Sequence, residues 1–205
     1  MGIIIAGIHT GIGKTICSAV ICQALGYDYW KPVQAGDLDN TDTMFVERMV
    51  NHPSCKIHPE AYRLTVPASP HYAAQVDGLE IISDKIIAPI TRNKLLVETA
   101  GGLMSPLSNN LLNIDMIQHL DMPVVLVSNN YLGSINHTLL SIEALQQRKI
   151  NILGLVFSGE AVVSTREFIL AYSKLPLLFS IPHFENINAQ SIQNFAAELS
   201  INLLS

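Results

Sequence analysis

Six short runs of this chain are apolar at nearly every position: residues 3–6, 29–32, 95–99, 124–128, 153–157 and 177–181. The clearest do not alternate with polar residues, as a strand with one wet face would. Continuous apolarity is expected of strands covered on both faces, and so of a parallel sheet buried between helices. Stretches of helical period separate them, over 14–25, 41–51, 83–88, 114–120, 135–148, 165–172 and 189–203. In the fifth, Ile135, Leu139, Ile142 and Leu145 recur on one face. This alternation predicts an α/β fold with right-handed crossovers. At roughly 150 residues per domain, the 205 residues are expected to form one domain, 1–205.

Composition excludes several classes. Hydrophobic residues make up 49% and charged residues 14%, which rules out a disordered chain and a long coiled coil. So few charges leave apolar surface for a second copy to cover. Twelve Lys and Arg against seventeen Asp and Glu give a net charge of −5 with no basic stripe, so nucleic acid is not an expected partner. Cys17, Cys22 and Cys55 make no CxxC pair and no metal spacing, as suits a reducing compartment. The apolar start is too short for a signal sequence, Ala6 stands where a myristoylation motif needs Ser or Thr, and no run is long enough to span a membrane. A cytoplasmic protein is expected.

The alternation breaks between 51 and 83, which carries Pro53, Pro59, Pro67 and Pro70 with His52, His58 and His71. Connections this long are often functional. The histidine spacing matches no ligand pattern, so these are read as solvated loop residues.

Chemistry begins at Gly7-Ile8-His9-Thr10-Gly11-Ile12-Gly13-Lys14-Thr15. This resembles a phosphate-binding Walker A loop but has five residues, not four, between Gly7 and Gly13. A strand precedes it and a helix follows. Backbone N–H groups around Gly11 to Lys14 can converge on phosphate oxygens at the helix start. Lys14 supplies charge, and Thr15 can offer its hydroxyl to Mg²⁺. A glycine-rich turn that merely starts a helix is the bland alternative. Mg²⁺ takes one or two carboxylates. Glu98 closes an apolar run and is expected at a strand end, outside the core, where ligands of open α/β sheets sit. Asp42, in Thr41-Asp42-Thr43, is a second candidate, or a helix-start residue favoured by the dipole. Lys31 is expected to end the second strand and face the same crevice, Pro32 keeping it extended; a solvated lysine is the alternative.

Taken in order, Gly7 to Thr15, Lys31-Pro32-Val33, Asp42, Ser69-Pro70-His71, Glu98-Thr99-Ala100-Gly101-Gly102 and Leu132-Gly133-Ser134-Ile135-Asn136-His137 resemble the dethiobiotin synthetase family over nearly the whole chain. The Lys-Pro-Val strand end and the Leu-Gly-x-Ile-Asn-His turn are far more specific than a Walker motif. The resemblance implies a P-loop NTPase-like three-layer fold with a mostly parallel central sheet. It also implies a cyclo-ligase of biotin biosynthesis that makes dethiobiotin from 7,8-diaminononanoate, CO₂ and ATP, with Mg²⁺, as a homodimer.

By that resemblance Thr15, Asp42 and Glu98 are the metal ligands, and Lys14 and Lys31 neutralise the substrate carbamate and the γ-phosphate. Thr10 and Ala35 lie at the carbamate. Gly133, Ser134, Ile135, Asn136 and His137 of the other subunit take the distant carboxylate, as exposed N–H groups at a helix start can. Nucleotide contacts fall to Gly11, Ile12, Gly13, Ile16, Thr99, Ala100 and Gly101. Ser158 with Pro182, His183 and Phe184 stands on the adenine side. The chain departs from the family pattern in places. Gly11 stands where an acidic or small residue is frequent. Ala35 replaces a hydroxyl residue and Thr99 a glycine. Ser158 replaces an Asn, which predicts loose base discrimination. A regulatory ATPase of the ParA/MinD kind is the second reading, weakened by His9 where that group has a lysine and by the absence of Lys and Arg from 189–205. An amidotransferase-type cobyrinate synthase is a third reading, for whose glutaminase domain 205 residues are expected to leave no room.

Overall fold

The computed structural model describes residues 2–160 and 162–199. Its seven-stranded sheet has the order β11-β10-β9-β1-β6-β2-β4: Leu177–Ile181, Ile152–Ser158, Val124–Asn129, Ile3–Gly7, Leu95–Glu98, Asp28–Trp30 and Ile57–His58. Every pairing in it is parallel. The helices are α1 (Lys14–Leu25), α2 (Asp42–Met49), α3 (Pro70–Val76), α4 (Asn113–Leu120), α5 (Ser134–Gln147), α6 (Val163–Ser173) and α7 (Ala189–Glu198). A parallel pair, β3 (Val33–Ala35) with β5 (Tyr62–Leu64), and an antiparallel pair, β7 (Pro106–Ser108) with β8 (Leu111–Leu112), lie outside the main sheet.

The strands are continuously apolar because successive residues enter two different cores. Ile4, Ala6, Val97, Leu126 and Leu155 pack on one face with Ile114, Ile142 and Ile169. Ile3, Ile5, Leu96, Val125 and Val156 pack on the other with Val20, Val46 and Ile192. After β1 the chain crosses on one side to β2; after β6 it passes back over β1 to β9. That reversal opens a crevice at the carboxyl ends of β1 and β6.

Several expectations are corrected here. The 51–83 stretch is not an unstructured connection: it contains β4, β5 and α3, and β4 forms an edge of the main sheet. Its strands are two and three residues long, too short for a periodic signal. Nor are its histidines all solvated. His58 is buried, its Nε2 3.1 Å from Asp28 Oδ2, and His52 lies over Gly26, where an added Cβ would meet its ring at 2.3 Å. The expected helix over 83–88 is a single 3₁₀ turn, Ser83–Lys85. Strand 29–32 divides at Lys31 and Pro32, Pro lacking the N–H that would continue a ladder. Helix 189–203 is described only to Glu198; residues 200–203 of that expectation lie outside the described residues.

Candidate functional site

The loop between β1 and α1 is built on glycine. Gly13 caps α1 at φ 93° with no side-chain cap bond, so the first N–H groups of the helix are not taken by a capping side chain and suit an anion. Gly7 has no room for a side chain: an added Cβ would meet Lys14 Cδ at 2.8 Å and Ile12 Cδ1 at 2.9 Å. The Lys14 stem folds back across Gly7, and Lys14 Nζ donates to the His9 carbonyl at 2.9 Å. Burial pulls the Lys14 pKa down to about 8, against the opposing charge of Glu98.

Three elements bring their side chains to this loop. Thr15 Oγ1, on α1, is 2.7 Å from Asp42 Oδ1 and 2.9 Å from Glu98 Oε1. Lys31 Nζ, just past β2, is paired with Asp42 and lies 3.5 Å from Glu98 Oε1. Burial alone would lower the Lys31 pKa, but the Glu98 and Asp42 carboxylates outweigh it and raise it. Burial likewise pushes Asp42 up while Lys31 pulls it further down, below the usual carboxylate range.

The expectation that Glu98 lies outside the core is overturned. Its residue is 0% exposed. Its second oxygen accepts from Ser18 Oγ at 2.7 Å and Tyr29 OH at 3.1 Å. A buried carboxylate is tolerated when donors surround it. Ser18 and Tyr29 were not among the expected site residues, although Ser18 stands one helical turn after Lys14.

Asp42, Glu98, Lys14, Lys31, Thr10, Thr15, Gly11, Gly13, Ala35, Ala100 and Gly101 line one cavity of about 580 Å³. Gln34, Asp37, Ser105 and the 67–70 segment also line it. Their sequence signal was the proline-rich interruption and the residues around Ala35. Other expected residues are elsewhere. Ile12 is core, and Ile16 packs against that core. Thr99 is buried with its hydroxyl 3.3 Å from the Ile5 carbonyl. Ser158 is buried beneath the loop, where a Cβ on Gly13 would meet its Oγ at 2.2 Å. Pro182 and His183 are exposed beyond β11, and Phe184 packs edge-on to Phe195 at 5.8 Å. The 133–136 turn lines a separate cavity of about 700 Å³. His137, held by Tyr131 OH at 2.8 Å, lines a third, of about 460 Å³, with His9 and Thr10.

An oxygen set of one hydroxyl and two carboxylates suits a hard divalent cation. Thr15 has a single hydroxyl proton, yet its oxygen lies within hydrogen-bond distance of both carboxylates. A cation would relieve that shortage of donors.

The AAA domain family model matches residues 1–191. The ATP-dependent dethiobiotin synthetase BioD of Rhodopseudomonas palustris strain HaA2 is 43% identical over 191 residues, covering 93% of this chain and 90% of that protein. The BioD of Chlamydia pneumoniae is 42% identical over 196 residues, 96% of this chain and 88% of that protein. The BioD of Brucella ovis is 40% identical over 201 residues, with coverage of 98% and 95%. Among solved structures, a ParA family ATPase from Chlorobium tepidum TLS superposes with a TM-score of 0.57 at 16% identity, covering 97% of this chain and 99% of that one. The MinC:MinD cell division protein complex of Aquifex aeolicus gives 0.52 at 16% identity, covering 95% of this chain and 85% of the matched chain. At that identity these two share the fold alone.

Proposed function

This chain belongs to the ATP-dependent dethiobiotin synthetase family, and on that premise we propose how its residues divide the synthesis of dethiobiotin from 7,8-diaminononanoate, CO₂ and ATP. The observation that carries the reading is the meeting of Lys14, Lys31, Thr15, Asp42 and Glu98 around one cavity directly after a phosphate loop.

The α1 N-terminus and Lys14 receive the β- and γ-phosphates, Lys14 exchanging its bond to the His9 carbonyl for phosphate oxygens. Thr15, Asp42 and Glu98 hold Mg²⁺, which when bound neutralises phosphate charge. Lys31 turns from the two carboxylates toward the carbamate formed between CO₂ and one substrate amine. A carbamate oxygen attacks the γ-phosphorus and ADP leaves with the bonding pair. The second amine attacks the carbonyl carbon of the mixed anhydride. A C–N bond forms, the C–O bond to phosphate breaks, and the amine proton passes to solvent. These steps need alignment and charge neutralisation rather than a protein nucleophile.

Ser158 and residues 182–184 make the base side, and the 133–137 turn of a second subunit takes the distant carboxylate. Leu132, Met104 and Leu140 are exposed around the cavities that this turn lines, which supports a homodimer. No helix among the described residues is long and apolar enough to cross a membrane.

The test is formation of dethiobiotin and ADP. Product should require both the diamine and bicarbonate. ATP hydrolysis indifferent to the diamine but driven by DNA or lipid would overturn the reading.

A further inference from the structure

The reaction cavity holds a third carboxylate besides Asp42 and Glu98. Asp37 lines it too, exposed and two residues along the chain from Ala35. Asp42 and Glu98 are both engaged by Thr15 and Lys31. Among the described residues no ion pair ends on Asp37.

Its place is held rigidly. The Asp37 backbone stands at φ 51°, in the left-handed region, which Asp tolerates better than most residues but at a cost. Gly36, at φ 74°, is pressed against Pro67, so that an added Cβ would meet Pro67 Cα at 2.4 Å. The Gly36 N–H donates to the Leu64 carbonyl at 2.8 Å, and Gln34 Nε2 donates to the Gly36 carbonyl at 3.0 Å. The Asn40 N–H closes the turn onto the Asp37 carbonyl at 2.9 Å. Arg63 Nη2 donates to the Leu38 carbonyl at 3.1 Å. A strained residue fixed by such contacts at a cavity wall is where a ligand group is expected.

We propose that Asp37 binds the ammonium group of the amine that is not carbamoylated, and so selects a diamine over a monoamine. The assignment rests on the function proposed above. Lys14 and Lys31 serve phosphate and carbamate, and Asp42 and Glu98 are already engaged by Lys31, which leaves Asp37 as the lining carboxylate open to a substrate cation. A carboxylate without a cationic partner on a held backbone can take the ammonium group there.

Binding of 7,8-diaminononanoate, of its monoamine analogue lacking one amino group, and of ADP is measured by calorimetry for wild type, Asp37→Asn and Asp37→Gly. Both variants should bind the diamine about tenfold more weakly, the scale of one charge-assisted hydrogen bond. Their preference for diamine over monoamine should shrink by the same factor, with ADP affinity within twofold of wild type. Asp37→Gly relieves the backbone, so its melting temperature should equal or exceed that of wild type. A structural role would instead lower stability in both variants. Unchanged diamine affinity, or equal losses for ADP, would overturn the assignment while leaving the enzyme's function standing. A wild-type protein that neither binds the diamine nor makes dethiobiotin would remove both.

Discussion

Lys14 and Lys31 are lysines that the fold prepares differently. Burial holds the first down near 8, while two carboxylates hold the second up. In the roles proposed above each faces charge that develops during transfer, so Lys14→Ala and Lys31→Ala should each lower turnover at least about a hundredfold, the scale for one transition-state contact. Steady-state rates at saturating substrate read this directly, and near-normal turnover in Lys31→Ala would remove its role. Glu98→Gln has a double expectation because Glu98 is buried among Ser18, Tyr29, Thr15 and Lys31. The apparent Mg²⁺ requirement should rise, and stability should fall by about 1–3 kcal/mol, the cost of leaving a buried donor poorly paired. A Mg²⁺ titration beside a thermal melt separates the two, and an unchanged titration would take Glu98 out of the metal site. In the base-side role proposed above, Ser158 offers one short hydroxyl where an amide would offer donor and acceptor. ATP should therefore be preferred over CTP or GTP by less than about a thousandfold, or roughly 4 kcal/mol in transition-state binding; a larger ratio in kcat/KM would show that another group reads the base.

Among elements, β2 and β4 are joined by a buried polar knot around Asp28. Asp28 Oδ2 accepts from Thr91 Oγ1 at 2.7 Å and lies 3.1 Å from His58 Nε2. Oδ1 accepts from Asn93 Nδ2 at 2.9 Å and the Lys56 N–H at 3.0 Å. Burial works to raise its pKa, but the hydrogen bonds of Thr91, Asn93, His58 and Lys56 outweigh it and lower it. A carboxyl lowered on folding stabilises the protein above its unfolded pKa of about 3.9. That contribution is lost as pH falls through the folded value. Asp28→Asn should cost about 2 kcal/mol at pH 7, where charged hydrogen bonds count most. The gap from wild type should narrow steadily below about pH 4. Urea unfolding at several pH values measures it, and a gap that stays constant into acid would exclude the ionised carboxylate as its source. Little of this knot was legible in the sequence. Asp28, His58, Thr91 and Asn93 come from separated segments, and only the parallel pairing of β2 with both β4 and β6 brings them together.

For the whole molecule, the main cavity and the cavity lined by residues 133–136 share no residue within one chain. If two subunits share each site, Lys14→Ala and Asn136→Ala chains should complement one another. Mixed after reversible dissociation, two inactive variants should recover about a quarter of wild-type activity, because random twofold pairing makes half the dimers mixed and each has one intact site. No recovery, with dimers confirmed by sedimentation, would place both groups in the same subunit's site.

The linear chain by itself determined the layered fold and the chemistry of the loop. Continuous apolar runs require two covering layers, and Gly7, Gly13, Lys14 and Thr15 carry their meaning in local backbone geometry, which needs no distant partner. Lys31, Asp42 and Glu98 were legible as residue types placed at element ends, and the Lys-Pro-Val and Leu-Gly-x-Ile-Asn-His segments marked the family. Tertiary structure alone decided the rest. It sank Glu98 into a cage of donors contributed by α1 and β2. It pressed Ser158 under Gly13 and folded the proline-rich interruption into a sheet edge and a wall of the cavity. It also held the backbone on either side of Asp37 through Leu64, Arg63 and Pro67. Each of these depends on contacts between segments far apart in the chain, and a local pattern carries no record of which distant donor, wall or charge will meet it.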